Sequence, residues 1–297
     1  KPLAAAERKG IFKNIRAMLM HKIGDVVINN TDNLMLSSIV GLISVGCYSN
    51  YYLVIGSIHQ LLNQIFRGIT ASVGNLGVTE DSKRVRRIFE SSFFVGQWLY
   101  GFAAICLFEL LNPFVEISFG KQYLFPLGVV LVLCLNFYIT GMRQATLVFR
   151  DSLGLFWFDR YKSVAGALLN LVISIVLARQ YGTIGVFLGT LLSALLTSFW
   201  VEPWILYRHS LGVPVRLYFY RYFAYTVITG AAGYLTHLIC RRISGTVWTV
   251  LGVRFLICLA VPNIIFLICY VRTTEFRFLF QKLWSVINKR KGGKKVE

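Results

Sequence analysis

Long apolar runs recur along this chain, separated by short polar stretches. Eight of them approach the roughly 20 residues that a helix needs to cross a bilayer's hydrocarbon core. They fall at 16–38, 42–66, 89–111, 123–147, 163–180, 184–207, 217–240 and 246–271. Backbone polar groups find no partners in lipid, so runs of this kind predict helices. The predicted class is an all-α, polytopic membrane protein. The connections at 39–41, 112–122, 181–183 and 241–245 are short, and the alternate ones at 67–88 and 208–216 hold no soluble domain.

The polar residues between the runs are sorted by sign and by side. Most of the 31 Lys and Arg residues lie in alternate connections and at the two ends. The N-terminal segment carries Arg8, Lys9, Lys13 and Arg16, and the 67–88 connection carries Lys83, Arg84, Arg86 and Arg87. Arg150, Arg160 and Lys162, then Arg208 and Arg216, mark the next two, and Lys289 to Lys295 ends the series. The remaining connections hold only Lys121, Arg179, Arg241 and Arg242. Basic residues are retained on the cytoplasmic side, which predicts that both ends of this chain are cytoplasmic. An even number of spans requires the same.

Composition then excludes several classes. With 56% hydrophobic and only 15% charged residues, and a mean hydropathy of +0.62, the chain belongs with membrane proteins. A charge of +18 would suggest nucleic acid in a soluble protein. Here the positive-inside bias accounts for it, and no nucleic-acid partner is expected. Tyr and Trp cluster at the run ends, as in an interfacial belt: Trp98, Tyr123, Trp157, Trp200, Trp204 and Trp248 are examples. Cys47, Cys106, Cys134, Cys240, Cys258 and Cys269 lie within or at the ends of apolar runs, with no CxxC pair. They read as small packing residues; no metal site or cofactor is expected. The sequon Asn29-Asn30-Thr31 lies inside the first run and is no acceptor site.

The expected organisation is a cytoplasmic connection at 1–15, a transmembrane bundle at 16–271 and a basic amphipathic tail at 272–297. The start, Lys1-Pro2-Leu3, resembles an internal connection, so further spans are expected upstream. Gly185, Gly189 and Ser193 form a small-residue stripe for close helix packing, and Gly230 with Gly233 offers a second. In the tail, Phe276, Phe280, Leu283, Trp284 and Ile287 fall on one helical face, suited to the inner leaflet.

Three runs are unusually polar. In the first, Lys22, Asp25, Asn29, Asp32 and Asn33 fall within an arc of roughly 100°. A carboxylate at the bilayer centre costs about 2.5–3.5 kcal/mol on insertion scales unless it meets water or a partner. Two readings stand: the stripe lines a water-filled cavity, or it forms a buried pair such as Lys22 with Asp25. In the second run Tyr52, Gly56, His59, Gln60, Asn63, Gln64 and Arg67 repeat at helical spacing. Packed against the first run, they would complete one polar wall. The fourth run adds Asn136, Thr140, Arg143 and Gln144. Arg143 and Arg254 lie near run ends, where snorkelling to the headgroups is an equal alternative. Glu202 is expected to pair with Arg208, and Glu109 has no assigned role.

The stretch from Gly24 to Tyr52, GDVVINNTDNLMLSSIVGLISVGCYSNYY, resembles the start of the second half of polysaccharide-repeat flippases of the Wzx type. Tyr181 to Gly189, YGTIGVFLG, and Phe199-Trp200-Val201-Glu202-Pro203 resemble the same family, and the likeness runs from about residue 7 to 270. It implies a multidrug/oligosaccharidyl-lipid/polysaccharide exporter fold, with about 12–14 helices in two pseudo-symmetric bundles around a cavity. This chain would be the C-terminal bundle plus two extra C-terminal helices. The implied activity moves a polyprenyl-pyrophosphate-linked oligosaccharide between leaflets by alternating access, for surface polysaccharide assembly. Lys22, Arg67, Arg143 and Arg254 are the cations that would offset the pyrophosphate. The implied partners are that substrate, membrane lipid, the missing N-terminal bundle, and polysaccharide polymerase and glycosyltransferases.

Two other functions remain open at this point. A cation-coupled drug or solute antiporter of the same fold would use Asp25 and Asp32 as its site. A membrane-bound polysaccharide polymerase would need a large catalytic loop with clustered acids, and none of the connections provides it.

Overall fold

In a computed structural model the chain folds as a helical bundle. The structure describes residues 5–79 and 82–292, with only the backbone at many positions within 5–29, 69–79 and 283–292. The α-helices are α1 (Ala5–Met35), α2 (Leu42–Thr79), α3 (Ser82–Ser118), α4 (Leu127–Met142), α5 (Gln144–Ser152), α6 (Lys162–Tyr181), α7 (Thr183–Leu196), α8 (Ser198–Leu206), α9 (Arg216–Cys240), α10 (Val247–Tyr270) and α11 (Thr274–Gly292). Among the described residues there is no strand.

Among the described residues the apolar runs become six helical segments long and apolar enough to cross a membrane: Ser82–Ser118, Leu127–Ser152, Lys162–Tyr181, Thr183–Leu211, Arg216–Cys240 and Val247–Tyr270. The second joins α4 to α5 through a break at Arg143, and the fourth joins α7 to α8 through a break at Thr197. The first two expected spans are α1 and α2, of 31 and 38 residues. They have the length and fall short on apolarity, because they carry the polar stripes. Gly41 separates them at φ +123°, in a region closed to side chains, with its amide bonded to Leu36 O at 2.8 Å.

The expected 67–88 connection is mostly helix. α2 continues to Thr79 and α3 begins at Ser82, so each outruns the bilayer core: 38 residues rise about 57 Å against roughly 30 Å of hydrocarbon. Contacts of Phe66 with Gly96, Asn63 with Tyr100, and Tyr51 with Asn112 show the two running antiparallel.

α3 is the central helix. Its Phe89, Phe93, Phe94, Gln97 and Tyr100 are buried, and α2, α4, α9 and α10 pack around it. Gly141 lets α4 approach: a Cβ there would lie 2.0 Å from the Tyr100 ring. Aromatic rings fill the space toward α9 and α10, with Phe93 against Tyr218 at 4.8 Å and Phe94 against Tyr270 at 5.1 Å. The outer faces of α9 and α10 expose Val227, Leu235, Leu256, Leu259 and Ile268, as a lipid contact requires. The cysteines are free, and Cys47, Cys134, Cys240 and Cys258 are buried in the packing.

The Gly185–Gly189–Ser193 stripe does bring helices together. A Cβ at Gly185 would stand 2.1 Å from Leu177 O, and one at Gly189 2.2 Å from Ser174 Oγ, so α7 lies directly on α6. Gly230 behaves otherwise: nothing lies within 4 Å of its Cβ position, and Gly233 meets only Ile105 at 3.4 Å. That second pair opens a groove and makes no close packing.

α1 also departs from expectation. It packs on α6, where a Cβ at Gly24 would fall 2.5 Å from Ser163 Cβ, and not flat against α2. A glycine without a Cβ against a small serine permits this approach, whereas the α2 face nearest α1 carries the rings of Tyr48 and Tyr52.

In the tail, α11 stacks Phe276 on Trp98 at 6.1 Å and continues through Phe280 and Trp284 at 6.2 Å intervals. The side chains of Leu283 and Ile287 lie outside the described residues.

Candidate functional site

Because α1 leans on α6, a space of about 180 Å³ opens between α1, α2, α4 and α7. Asp32, Tyr52, His59, Asn136, Thr140 and Thr190 give it a polar lining, and Phe137 and Phe187 close its apolar side. It is a partly open pocket in which polar groups are set among apolar ones.

Asp32 is positioned from α7. Thr190 Oγ1 donates to Asp32 Oδ1 at 2.7 Å, and Asn170 Nδ2 of α6 donates to Thr190 Oγ1 at 2.9 Å. The threonine hydroxyl therefore has its proton committed to the carboxylate. The second oxygen of Asp32 is left to accept from a ligand or water. No Lys or Arg pairs with Asp32 among the described residues.

On the other side, α2 and α3 set the His59 ring. Tyr100 OH donates to Asn63 Oδ1 at 2.7 Å, which turns the Asn63 amide nitrogen to His59 Nδ1 at 3.0 Å. In the neutral ring Nδ1 is then the acceptor and Nε2 carries the proton. Nε2 is buried and has no partner among the described residues. His59 on α2 and the Asp32 carboxylate on α1 thus line one cavity with amide, hydroxyl and aromatic walls. Such a set suits a hydroxyl-rich ligand, which both donates and accepts. Asn136 completes the wall by donating to Phe187 O at 2.9 Å, which ties α4 to α7.

The expected pathway residues divide accordingly. Asp32 and His59 line the cavity, and Asn63 stands behind His59. Lys22, Asn33 and Arg67 are exposed on the outer surfaces of α1 and α2. The side chains of Asp25 and Asn29 lie outside the described residues. Arg143 and Arg254 are not at the cavity; each sits in an ion-paired cluster elsewhere.

Arg143 clamps Glu202 in a fork: Nε to Oε2 at 2.9 Å and Nη2 to Oε1 at 2.6 Å. Lys162 Nζ donates to the same carboxylate. Glu202 thus pairs with Arg143 and Lys162 and not with Arg208, whose guanidinium lies over the Trp204 ring at 4.9 Å. The cluster continues through Asp159, which accepts from Arg150 at 2.6 Å, and Arg150 also bonds Asp151 at 2.8 Å. Arg143, Lys162 and Arg150 against Glu202, Asp159 and Asp151 make it formally neutral. It joins α5, α6 and α8 and is a structural tie. Glu109, unassigned from sequence, is buried 2.8 Å from His237 Nδ1 and 3.7 Å from Arg254 Nη1, which fastens α9 and α10 to α3. Among the described residues no group of three His, Cys, Asp or Glu side chains could hold a metal ion.

Sequence reasoning missed Thr190, Asn170 and Tyr100. The available signal was faint: Asn170 and Ser174, then Thr190 and Ser193, are isolated polar positions in otherwise apolar runs, and such positions are costly in lipid unless they bond to one another.

No protein-family model matches this chain, and no curated protein matches it. A solved structure titled "Lipid II flippase MurJ, inward closed conformation" is similar, with a TM-score of 0.58 and 14% sequence identity. The match covers 86% of this chain and 52% of that one, so the chain spans about half the length of the structure it resembles. Similarity at that identity speaks to architecture, and it agrees with the fold expected above: the chain is an all-α, polytopic bundle with a flippase-like fold.

Proposed function

We propose that this chain forms one wall of a flippase that carries a polyprenyl-pyrophosphate-linked oligosaccharide across the inner membrane for surface polysaccharide assembly. The observation that carries the reading is the polar cavity between α1, α2, α4 and α7, in a bundle whose fold matches a lipid-linked precursor flippase. Hydroxyl-rich sugar would exchange hydrogen bonds with Asp32, His59 Nε2 and the amides, while the polyprenyl tail stays in lipid. Lys22 and Arg67, exposed on the same two helices, would meet the pyrophosphate as it passes. Asp25 and Asn29 belong to the same stripe and to the same proposal. The opposite wall would come from a second bundle facing α1 and α2, the counterpart of the N-terminal half. Polymerase and glycosyltransferases would act before and after the crossing. The basic ends of the helices would face the cytoplasm.

The test is chemical. Cells lacking the intact protein should accumulate a lipid-linked oligosaccharide in the inner leaflet, identified by extraction and mass spectrometry. Accumulation of no lipid-linked sugar would remove the reading. A second reading, a cation-coupled antiporter of this fold, is favoured by one observation: Asp32 has a hydroxyl partner and no basic one among the described residues. Drug or cation flux without lipid-linked sugar accumulation would select it.

A further inference from the structure

A groove of about 420 Å³ lies between α3 and α11, away from the polar cavity. Arg87, Glu90 and Ser91 line it from α3, and Thr274, Glu275 and Arg277 from α11. Its two carboxylates are already neutralised. Glu90 accepts from Arg86 Nε at 2.8 Å, and Arg221 of α9 bridges Glu90 at 3.3 Å and Glu275 at 2.8 Å. Arg87 and Arg277 remain. Both are exposed, and neither has an acidic partner among the described residues. Arg87 instead lies 6.0 Å from the centre of the Phe278 ring, which holds its guanidinium at the groove wall. Four arginines against two glutamates leave a local excess of two positive charges.

The depth of the groove follows from α11. This helix stacks Phe276, Phe280 and Trp284 along one side, the pattern of a helix lying in the plane of the headgroups. The groove mouth therefore opens at headgroup level, beside the end of α3 that carries Lys83, Arg84 and Arg86. Guanidinium forks bind paired phosphate oxygens in two parallel hydrogen bonds, and basic pockets between helices on this side of a membrane suit anionic headgroups.

We propose that the α3–α11 groove binds the phosphate of an anionic phospholipid, held between Arg87 and Arg277, and that this lipid fastens α11 to the bundle. The proposal rests on the membrane reading of the chain and is independent of the substrate carried. Its test therefore measures lipid binding and not transport, and its failure would leave the flippase reading untouched.

The full-length protein in neutral detergent is titrated with phosphatidylglycerol, and bound lipid is read by native mass spectrometry. Phosphatidylcholine and inorganic phosphate form separate arms. Phosphatidylglycerol should bind and phosphatidylcholine should not, with millimolar phosphate failing to displace the lipid. R87Q with R277Q should weaken binding about thirtyfold, roughly fivefold for each guanidinium. R272Q, an exposed charge outside the groove, should leave it unchanged. R87K with R277K keeps charge and loses the fork, and should bind with intermediate strength; it serves if the glutamine pair does not fold. Wild-type affinity in either double variant, or equal binding of phosphatidylcholine, would overturn the proposal. Displacement by inorganic phosphate alone would overturn the lipid as occupant in favour of a free anion.

Discussion

The tie built on Glu202 offers the sharpest energetic prediction. Its carboxylate is fully buried and accepts from both Arg143 and Lys162. Glu202→Gln keeps the shape but removes the negative charge and turns an amide NH₂ toward two cations. Lys162 is 5% exposed and keeps only Asp159 at 3.4 Å among the described residues, and Arg143 is 19% exposed, so water replaces little of the lost partner for either cation. Removing one member of a buried ion cluster costs about 3–5 kcal/mol. That is about two to three and a half decades in the unfolding equilibrium. It is also a large part of the roughly 5–15 kcal/mol that holds a typical domain folded. Unfolding in mixed detergent, followed by tryptophan fluorescence, should show this loss. Arg143→Met and Glu202→Leu made together remove one charge of each sign and should recover most of the stability, because Lys162 and Arg150 are left against Asp159 and Asp151. A loss below about 1 kcal/mol for Glu202→Gln alone would refute the reasoning, since the cluster would then behave as a solvated surface pair.

Other predictions follow from the packing and the charge distribution. Gly189→Ala should destabilise by about 1–3 kcal/mol, because its Cβ would overlap Ser174, while Gly230→Ala, with open space around it, should be neutral or slightly stabilising in the same unfolding assay. Cysteine at Ser82 or Phe158, both exposed, should react with a membrane-impermeant reagent from the cytoplasmic side, and cysteine at Lys121 or Arg242 from the opposite side; labelling of position 121 only from within would overturn the arrangement of spans. Asn63→Leu should unfix the His59 ring without emptying the cavity, and should lower transport while leaving abundance near normal; parallel losses of both would reduce Asn63 to packing.

The helices were legible because lipid imposes one rule on every residue of a span, and a run of apolar side chains states it locally. Gly185 and Gly189 were legible for a similar reason: spacing on one helix says which face is small, although not which helix meets it. Contacts between distant segments were not. Proximity along the chain points Glu202 to Arg208, yet residues six apart on a helix are turned about 240° from each other and cannot share a face. Its partner Arg143 lies 59 residues away and reaches it from a break between α4 and α5. The polar stripes of α1 and α2 are legible in the sequence as unusual for a lipid-facing helix. Their contact is not legible there, because a serine at position 163 opposite Gly24 draws α1 onto α6, so that Asp32 and His59 line a cavity while Lys22, Asn33 and Arg67 stay exposed. Thr190 and Asn170, which orient Asp32, carry no charge and interrupt their runs too briefly to stand out.

The measurement that bears most directly on the central claim is transport by Asp32→Asn and by His59→Leu, each in the intact protein and normalised to its amount in the membrane. Inner-leaflet polyprenyl-pyrophosphate-linked oligosaccharide, extracted and quantified by mass spectrometry, reports the crossing. The account predicts near-normal abundance with at least about tenfold slower crossing in each variant, since a ligand hydrogen bond to a charged or fixed group contributes about 1.5–3 kcal/mol. Crossing at the wild-type rate in both variants would contradict it and leave the cavity as a packing feature alone.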